Sequence, residues 1–95
     1  MELKYSNKFV RQLKRYNHDK KLFQILARKI NHIESVSSSS EFHELVRIRK
    51  TSAHYRIKIK ITDKIVYRIG ISIHRNTLWL AFIETYKKRF YKNFP

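Results

Sequence analysis

Cysteine is absent from these 95 residues, glycine and proline occur once each, and only 7 residues are acidic. The lack of cysteine excludes disulfides and thiolate zinc sites, and it fits a reducing, cytoplasmic setting. One glycine cannot build a glycine-rich phosphate loop. The few carboxylates, and the scatter of His18, His32, His43, His54 and His74, give no metal-binding cluster. No cofactor is expected. No apolar run follows Met1-Glu2-Leu3-Lys4, so no signal peptide is expected. No stretch approaches the ~20 apolar residues of a membrane-spanning helix, so the chain is not expected to cross a membrane.

What is abundant is positive charge. Lysine and arginine total 22, for a formal net charge of +15. So dense a field attracts polyanions at long range. Nucleic acid is the first candidate partner, an acidic protein segment the second and an anionic membrane surface the third. The hydrophobic fraction, 42%, supports one modest core, and residues 1–95 are expected to form a single domain.

Ser37-Ser38-Ser39-Ser40 separates two kinds of patterning. Before it, Glu2-Leu3-Lys4-Tyr5 alternates like a short strand, and Ser6 is a helix cap for a segment with Phe9, Leu13 and Tyr16 on one face. Asn17 and Asp19 mark a break and a new cap. Leu22, Ile25, Leu26, Ile30 and Ile33 then form the stripe of a longer helix. After the serines the period becomes two. Leu45 to Arg49 reads as an edge strand or extended loop. Tyr55, Ile57, Ile59 and Ile61 point one way and Arg56, Lys58 and Lys60 the other. Beyond a turn at Thr62-Asp63-Lys64, Ile65, Tyr67, Ile69, Ile71 and Ile73 share a face opposite Val66, Arg68, Gly70 and Ser72. His74-Arg75-Asn76 turns again. Thr77 to Ile83, apolar on both faces, reads as a central strand. The expected fold is α+β, an N-terminal helical hairpin on an antiparallel meander sheet of about four strands. The isoleucine stripe is core, and Tyr67 and Trp79 are assigned to core or interface.

The other sheet face carries Arg56, Lys58 and Lys60 in line, with Arg68 on the neighbouring strand. Lys87, Lys88 and Arg89 are placed to close over its end. Arginine grips phosphate with paired hydrogen bonds and lysine acts as a point charge, while aromatic rings stack on unpaired bases. Alternating cations also make an ordinary solvated face, but an ordinary face mixes signs. With metal, glycine-loop and serine-triad patterns missing, metal-free phosphoryl chemistry on RNA remains. There the 2′-hydroxyl is the nucleophile, and the protein positions it and stabilises the charge on phosphorus.

Tyr55-Arg56-Ile57-Lys58-Ile59, Tyr67-Arg68-Ile69-Gly70-Ile71, Tyr91-Lys92-Asn93-Phe94-Pro95 and the early Phe9-Val10-Arg11-Gln12-Leu13-Lys14 resemble, in order and spacing, the RelE/ParE superfamily of toxins. The RelE branch implies a toxin of a type II toxin–antitoxin system that cleaves messenger RNA on the ribosome, inhibiting translation. Its basic pair falls on Arg56 and Lys58, its third-strand arginine on Arg68 and its late basic residue on Lys88. Its C-terminal tyrosine is nearest Tyr91, although the aligned position is Phe94. The resemblance implies that Arg68 and Lys88 stabilise the phosphate, that Lys58 or Arg56 activates the 2′-hydroxyl, and that Tyr91 stacks or orients. Arg49, Lys60, Lys87 and Arg89 are RNA-binding candidates. His54 and Glu84 are reserve acid–base residues, since other branches use histidine or glutamate. Messenger RNA, the ribosome and an antitoxin with an acidic or amphipathic segment are the implied partners. Three alternatives stay open: a ParE-like gyrase poison, a non-catalytic RNA- or antitoxin-binding module, and an inactive toxin.

Overall fold

The computed structural model describes residues 1–38, 41–48 and 53–85. In chain order they form β1 (Glu2–Tyr5), α1 (Asn7–Leu13), a 3₁₀ turn (Lys14–Tyr16), α2 (Lys20–Ser35), β2 (Val46–Arg47), β3 (His54–Lys60), β4 (Val66–His74) and β5 (Thr77–Glu84). The strands make one sheet in the order β1-β5-β4-β3-β2.

Short polar side chains set the helix boundaries. The Ser6 hydroxyl accepts from the Phe9 amide at 3.0 Å and donates to the Ala81 carbonyl at 2.5 Å, so one side chain caps α1 and ties it to β5. Asp19 caps α2 by accepting from the Leu22 amide at 3.1 Å. Its second oxygen accepts from the Tyr67 hydroxyl at 2.7 Å, which pins the start of α2 to β4. That bond is the main cause holding the Asp19 carboxyl below its ordinary pKa. Burial, and then the same bond, push the Tyr67 phenol well above its own.

The hairpins follow equally local chemistry. The Thr62 hydroxyl accepts from the Lys64 and Ile65 amides and folds the β3–β4 turn. Arg75 and Asn76 adopt φ of 47° and 65°, the left-handed pair that a two-residue hairpin between His74 and Thr77 requires.

The inner sheet face carries Ile57, Ile59, Tyr67, Ile69, Ile71, Leu78, Leu80 and Ile83, which pack with Phe9, Leu22, Leu26, Ile33 and Phe42. Ile57, Ile59, Ile69, Ile71 and Tyr67 are core, as their alternation implied; Ile61 and Ile73 pack against them partly buried, and Ile65, which precedes β4 and is 44% exposed, is not core. A bulge interrupts β5. Gly70 pairs with Phe82 but Ile71 pairs with Leu80, which leaves Ala81 as the extra residue. The added residue lets Leu80 and Ile83 both face inward while Phe82 turns to the outer face.

Two expectations need correction. The sheet has five strands and is not wholly antiparallel, because β1 joins it parallel to β5, Glu2 opposite Thr77 through Tyr5 opposite Leu80. A parallel partner must be reached by a long crossover, here most of the chain, and local alternation carries no trace of it. Trp79 lies on the outer face and belongs to neither hydrophobic cluster, which overturns the core half of its core-or-interface assignment. Where β1 ends, α1 takes over the edge of β5. The Ser6 amide donates to the Leu80 carbonyl at 3.0 Å and the Ile83 amide to the Gln12 side-chain oxygen at 2.9 Å.

Candidate functional site

Residues directly opposite in adjacent strands stand on the same face with Cβ atoms ~5 Å apart. The pairing registers therefore lay the outer face out as rows. Lys58 is opposite Arg68, and Arg68 is opposite Glu84. The next row is Val46, Arg56, Gly70 and Phe82. Beyond it runs His54, Ser72, Trp79 and Lys4. At the other end Lys60 pairs with Val66, and its ammonium is 2.9 Å from Asp63 in the turn.

The first row concentrates the chemistry. Two cations directly opposite one another repel, and their proximity is relieved by an anion between them. Lys58 is exposed and Arg68 half-buried. The Arg68 Nη1 donates to the Thr85 carbonyl at 3.1 Å, which fixes the guanidinium. Its buried Nε has no hydrogen-bond partner among the described residues. A buried N–H donor left unmatched is costly, and a phosphate oxygen is the kind of acceptor that would satisfy it. Glu84, 9% exposed, completes the row as a carboxylate on a cationic surface, with Oε1 accepting from the Thr85 amide at 3.0 Å.

The second row supplies the floor. A Cβ on Gly70 would fall 2.2 Å from the Phe82 ring, so the ring lies directly on this glycine. Phe82, 4% exposed, packs with Ile48 and Ala81 as a small second cluster on the outer face. The Lys8 ammonium, from α1, lies 5.6 Å from the Phe82 ring centroid. Sequence periodicity gave no hint of Lys8 or of the Phe82–Gly70 contact, because both depend on the bulge and on the docking of α1 beside β5.

Of the sequence-selected residues, Arg56, Lys58, Lys60, Arg68 and Glu84 share this face. His54 stands at the far end of it, four residues from Lys58, or ~13 Å along the strand. Arg49, Lys87, Lys88, Arg89 and Tyr91 lie outside the described residues. Among the described residues no three His, Asp or Glu side chains gather where they could share a metal ion, and no helix is long and apolar enough to cross a membrane.

Neither protein-family models nor curated proteins match this sequence. Among solved structures, a chain of the RelB–RelE antitoxin–toxin complex from Methanococcus jannaschii superposes on 96% of this chain and 98% of its own length, with a TM-score of 0.57 and 21% identity. The fold is that of a RelE-like toxin. At this identity the likeness is one of architecture: N-terminal helices packed against a mixed sheet. The RelE-like fold accounts for the parallel β1 and for a sheet with one face covered by helices and the other left to carry Lys58, Arg68 and Glu84.

Proposed function

We propose that this chain is the toxin of a toxin–antitoxin pair and that it cleaves messenger RNA on the ribosome through its outer sheet face. The observation that carries this reading is the row Lys58–Arg68–Glu84, two cations held side by side with a carboxylate next to them. In the proposed reaction the 2′-oxygen of the substrate attacks the adjacent phosphorus. A 2′-O–P bond forms and the P–O5′ bond breaks, leaving a 2′,3′-cyclic phosphate and a 5′-hydroxyl. Arg68 and Lys58 bind the phosphate oxygens and stabilise the extra negative charge of the transition state. Glu84 takes the proton from the 2′-hydroxyl. Its place in the Arg68 row favours it over His54, which the strand geometry sets ~13 Å from Lys58. Arg56 and Lys60 bind flanking phosphates. From the family resemblance, Lys88 stabilises the phosphate with Arg68, Tyr91 stacks against a base or orients the nucleophile, and Arg49, Lys87 and Arg89 extend the contact with RNA; protonation of the leaving 5′-oxygen is our own assignment to Lys88.

The M. jannaschii relative was crystallised as an antitoxin–toxin complex. By the same reading an antitoxin with an acidic or amphipathic segment covers the cationic face of this chain, neutralising the repulsion between Lys58 and Arg68 as RNA would.

The test is controlled expression in a bacterium with mapping of new messenger 5′ ends within minutes of induction. Expected are new ends at fixed positions inside translated codons, lost in an Arg68→Ala, Lys88→Ala variant. Glu84→Gln should abolish them too, while His54→Gln retains them. Growth arrest without new ends would refute the nuclease reading and point to gyrase or to translation blocked by binding.

A further inference from the structure

Trp79 is the only tryptophan of the chain. Its β5 neighbours Leu78 and Leu80 are 0% and 1% exposed in the core, so Trp79 faces the open side, where it is half-buried. The register places it between Lys4 of β1 and Ser72 of β4. The Lys4 ammonium lies 5.4 Å from the ring centroid, and its carboxylate contact, Glu2 at 3.6 Å, is solvent-exposed. On the other flank Ser72 is too small to cover an indole. A flat aromatic surface with a weakly tethered cation on one side and little bulk on the other suits a nucleotide, base against ring and phosphate against ammonium.

We propose that Trp79 and Lys4 form a second nucleotide subsite, on which an unpaired base of the bound RNA stacks. This rests on the reading of the outer face as an RNA site. Ser72 is four residues from Arg68 along β4, ~13 Å, so the stacked base belongs to a nucleotide near the scissile bond but not at it. Between the two positions Phe82 is folded down onto Gly70, and Arg56 adds a cation along the way. The subsite holds the strand in register on the sheet and favours unpaired over duplex RNA, because a paired base has no free face to offer.

The single tryptophan is its own reporter. The purified wild-type protein is titrated with a short unstructured oligonucleotide lacking 2′-hydroxyls, which cannot be cleaved. Fluorescence anisotropy of an end label follows binding, and indole emission follows stacking. Expected is quenching of Trp79 with the same midpoint as the anisotropy change, and little quenching by an abasic oligomer of equal length. Trp79→Ala should weaken binding about tenfold and Trp79→Phe much less. Lys4→Ala should lower the slope of log affinity against log salt by ~0.7, one phosphate contact on a single strand. Binding without quenching, at an affinity indifferent to Trp79→Ala, overturns the subsite and leaves the cationic row standing. Absence of any oligonucleotide binding overturns the RNA reading and the subsite with it. Should Trp79→Ala fail to fold, the wild-type quenching and the Trp79→Phe and Lys4→Ala variants decide the matter.

Discussion

Removing one oxygen, by Tyr67→Phe, isolates the contact that fastens the helical layer to the sheet. The phenol donates to the Asp19 carboxylate at 2.7 Å, while its ring packs edge-on against Tyr16 with centroids 4.9 Å apart. Phenylalanine keeps the ring contact and loses only the hydrogen bond. Bonds to charged acceptors contribute ~1.5–3 kcal/mol. Asp19 retains the Leu22 amide and some access to water, so the low end applies, about 1.5 kcal/mol, against a total of ~5–15 kcal/mol for a domain. That corresponds to a fall in Tm of ~6–12 °C for a chain of this size. The effect depends on pH. The Asp19 pKa is depressed in the folded state, chiefly by this bond. Its contribution is therefore complete above the ordinary aspartate value of ~3.9 and is lost as pH falls through the lower native value. Urea unfolding of wild type, Tyr67→Phe, Asp19→Ala and the double variant gives the coupling energy directly. Coupling of about 1.5 kcal/mol is expected at neutral pH, shrinking at the acid end for as long as the wild type stays folded. Coupling under ~0.5 kcal/mol at neutral pH, or a Tyr67→Phe cost unchanged in acid, would refute the argument.

Three further outcomes can be checked. Gly70→Ala drives a methyl into the Phe82 ring and should cost ~1–3 kcal/mol in thermal or urea unfolding; adding Phe82→Leu should recover most of it, and a lone Gly70→Ala that unfolds like wild type would show that the ring does not rest on the glycine. Gln12→Ala strips the Ile83 amide of its acceptor and should cost ~1–3 kcal/mol, with hydrogen exchange accelerated at Ile83; unchanged exchange there would mean that α1 does not guard this edge. Lys58→Gln relieves the repulsion across from Arg68 and should leave stability equal or higher by ~0.2–1 kcal/mol while RNA binding weakens; loss of stability and binding together would argue that Lys58 is structural.

Legibility from sequence varied along the chain for physical reasons. The β3–β4 hairpin was readable because Ile57, Ile59, Ile69 and Ile71 alternate with polar residues and Thr62-Asp63-Lys64 is turn chemistry. The same alternation placed Arg56, Lys58, Lys60 and Arg68 on one face. The caps Ser6 and Asp19 were readable because they act on amides three residues away. Trp79 could be read only as core or interface because β5 is apolar on both sides, and periodicity cannot say which apolar face is core. The pairing of β1 with β5 and the bulge at Ala81 depend on residues more than seventy positions apart in the first case and on cross-strand register in the second. Glu84 was noticed only as a strand-end acid. Its adjacency to Arg68 depends on that same register.

The parallel docking of β1 also governs the order in which the molecule can assemble. The first strand and the Ser6 cap both need atoms of Leu80 and Ala81. During synthesis β1 must therefore wait, unpaired, for β5, which lies more than seventy residues further along the chain. Until then the apolar stripe of α2 (Leu22, Leu26 and Ile33) has no finished sheet to cover, and loop closure across most of the chain makes the final step slow. Glu84 comes to stand beside Arg68 only when β5 pairs with β4, so the row Lys58–Arg68–Glu84 lacks its carboxylate until β5 has been made.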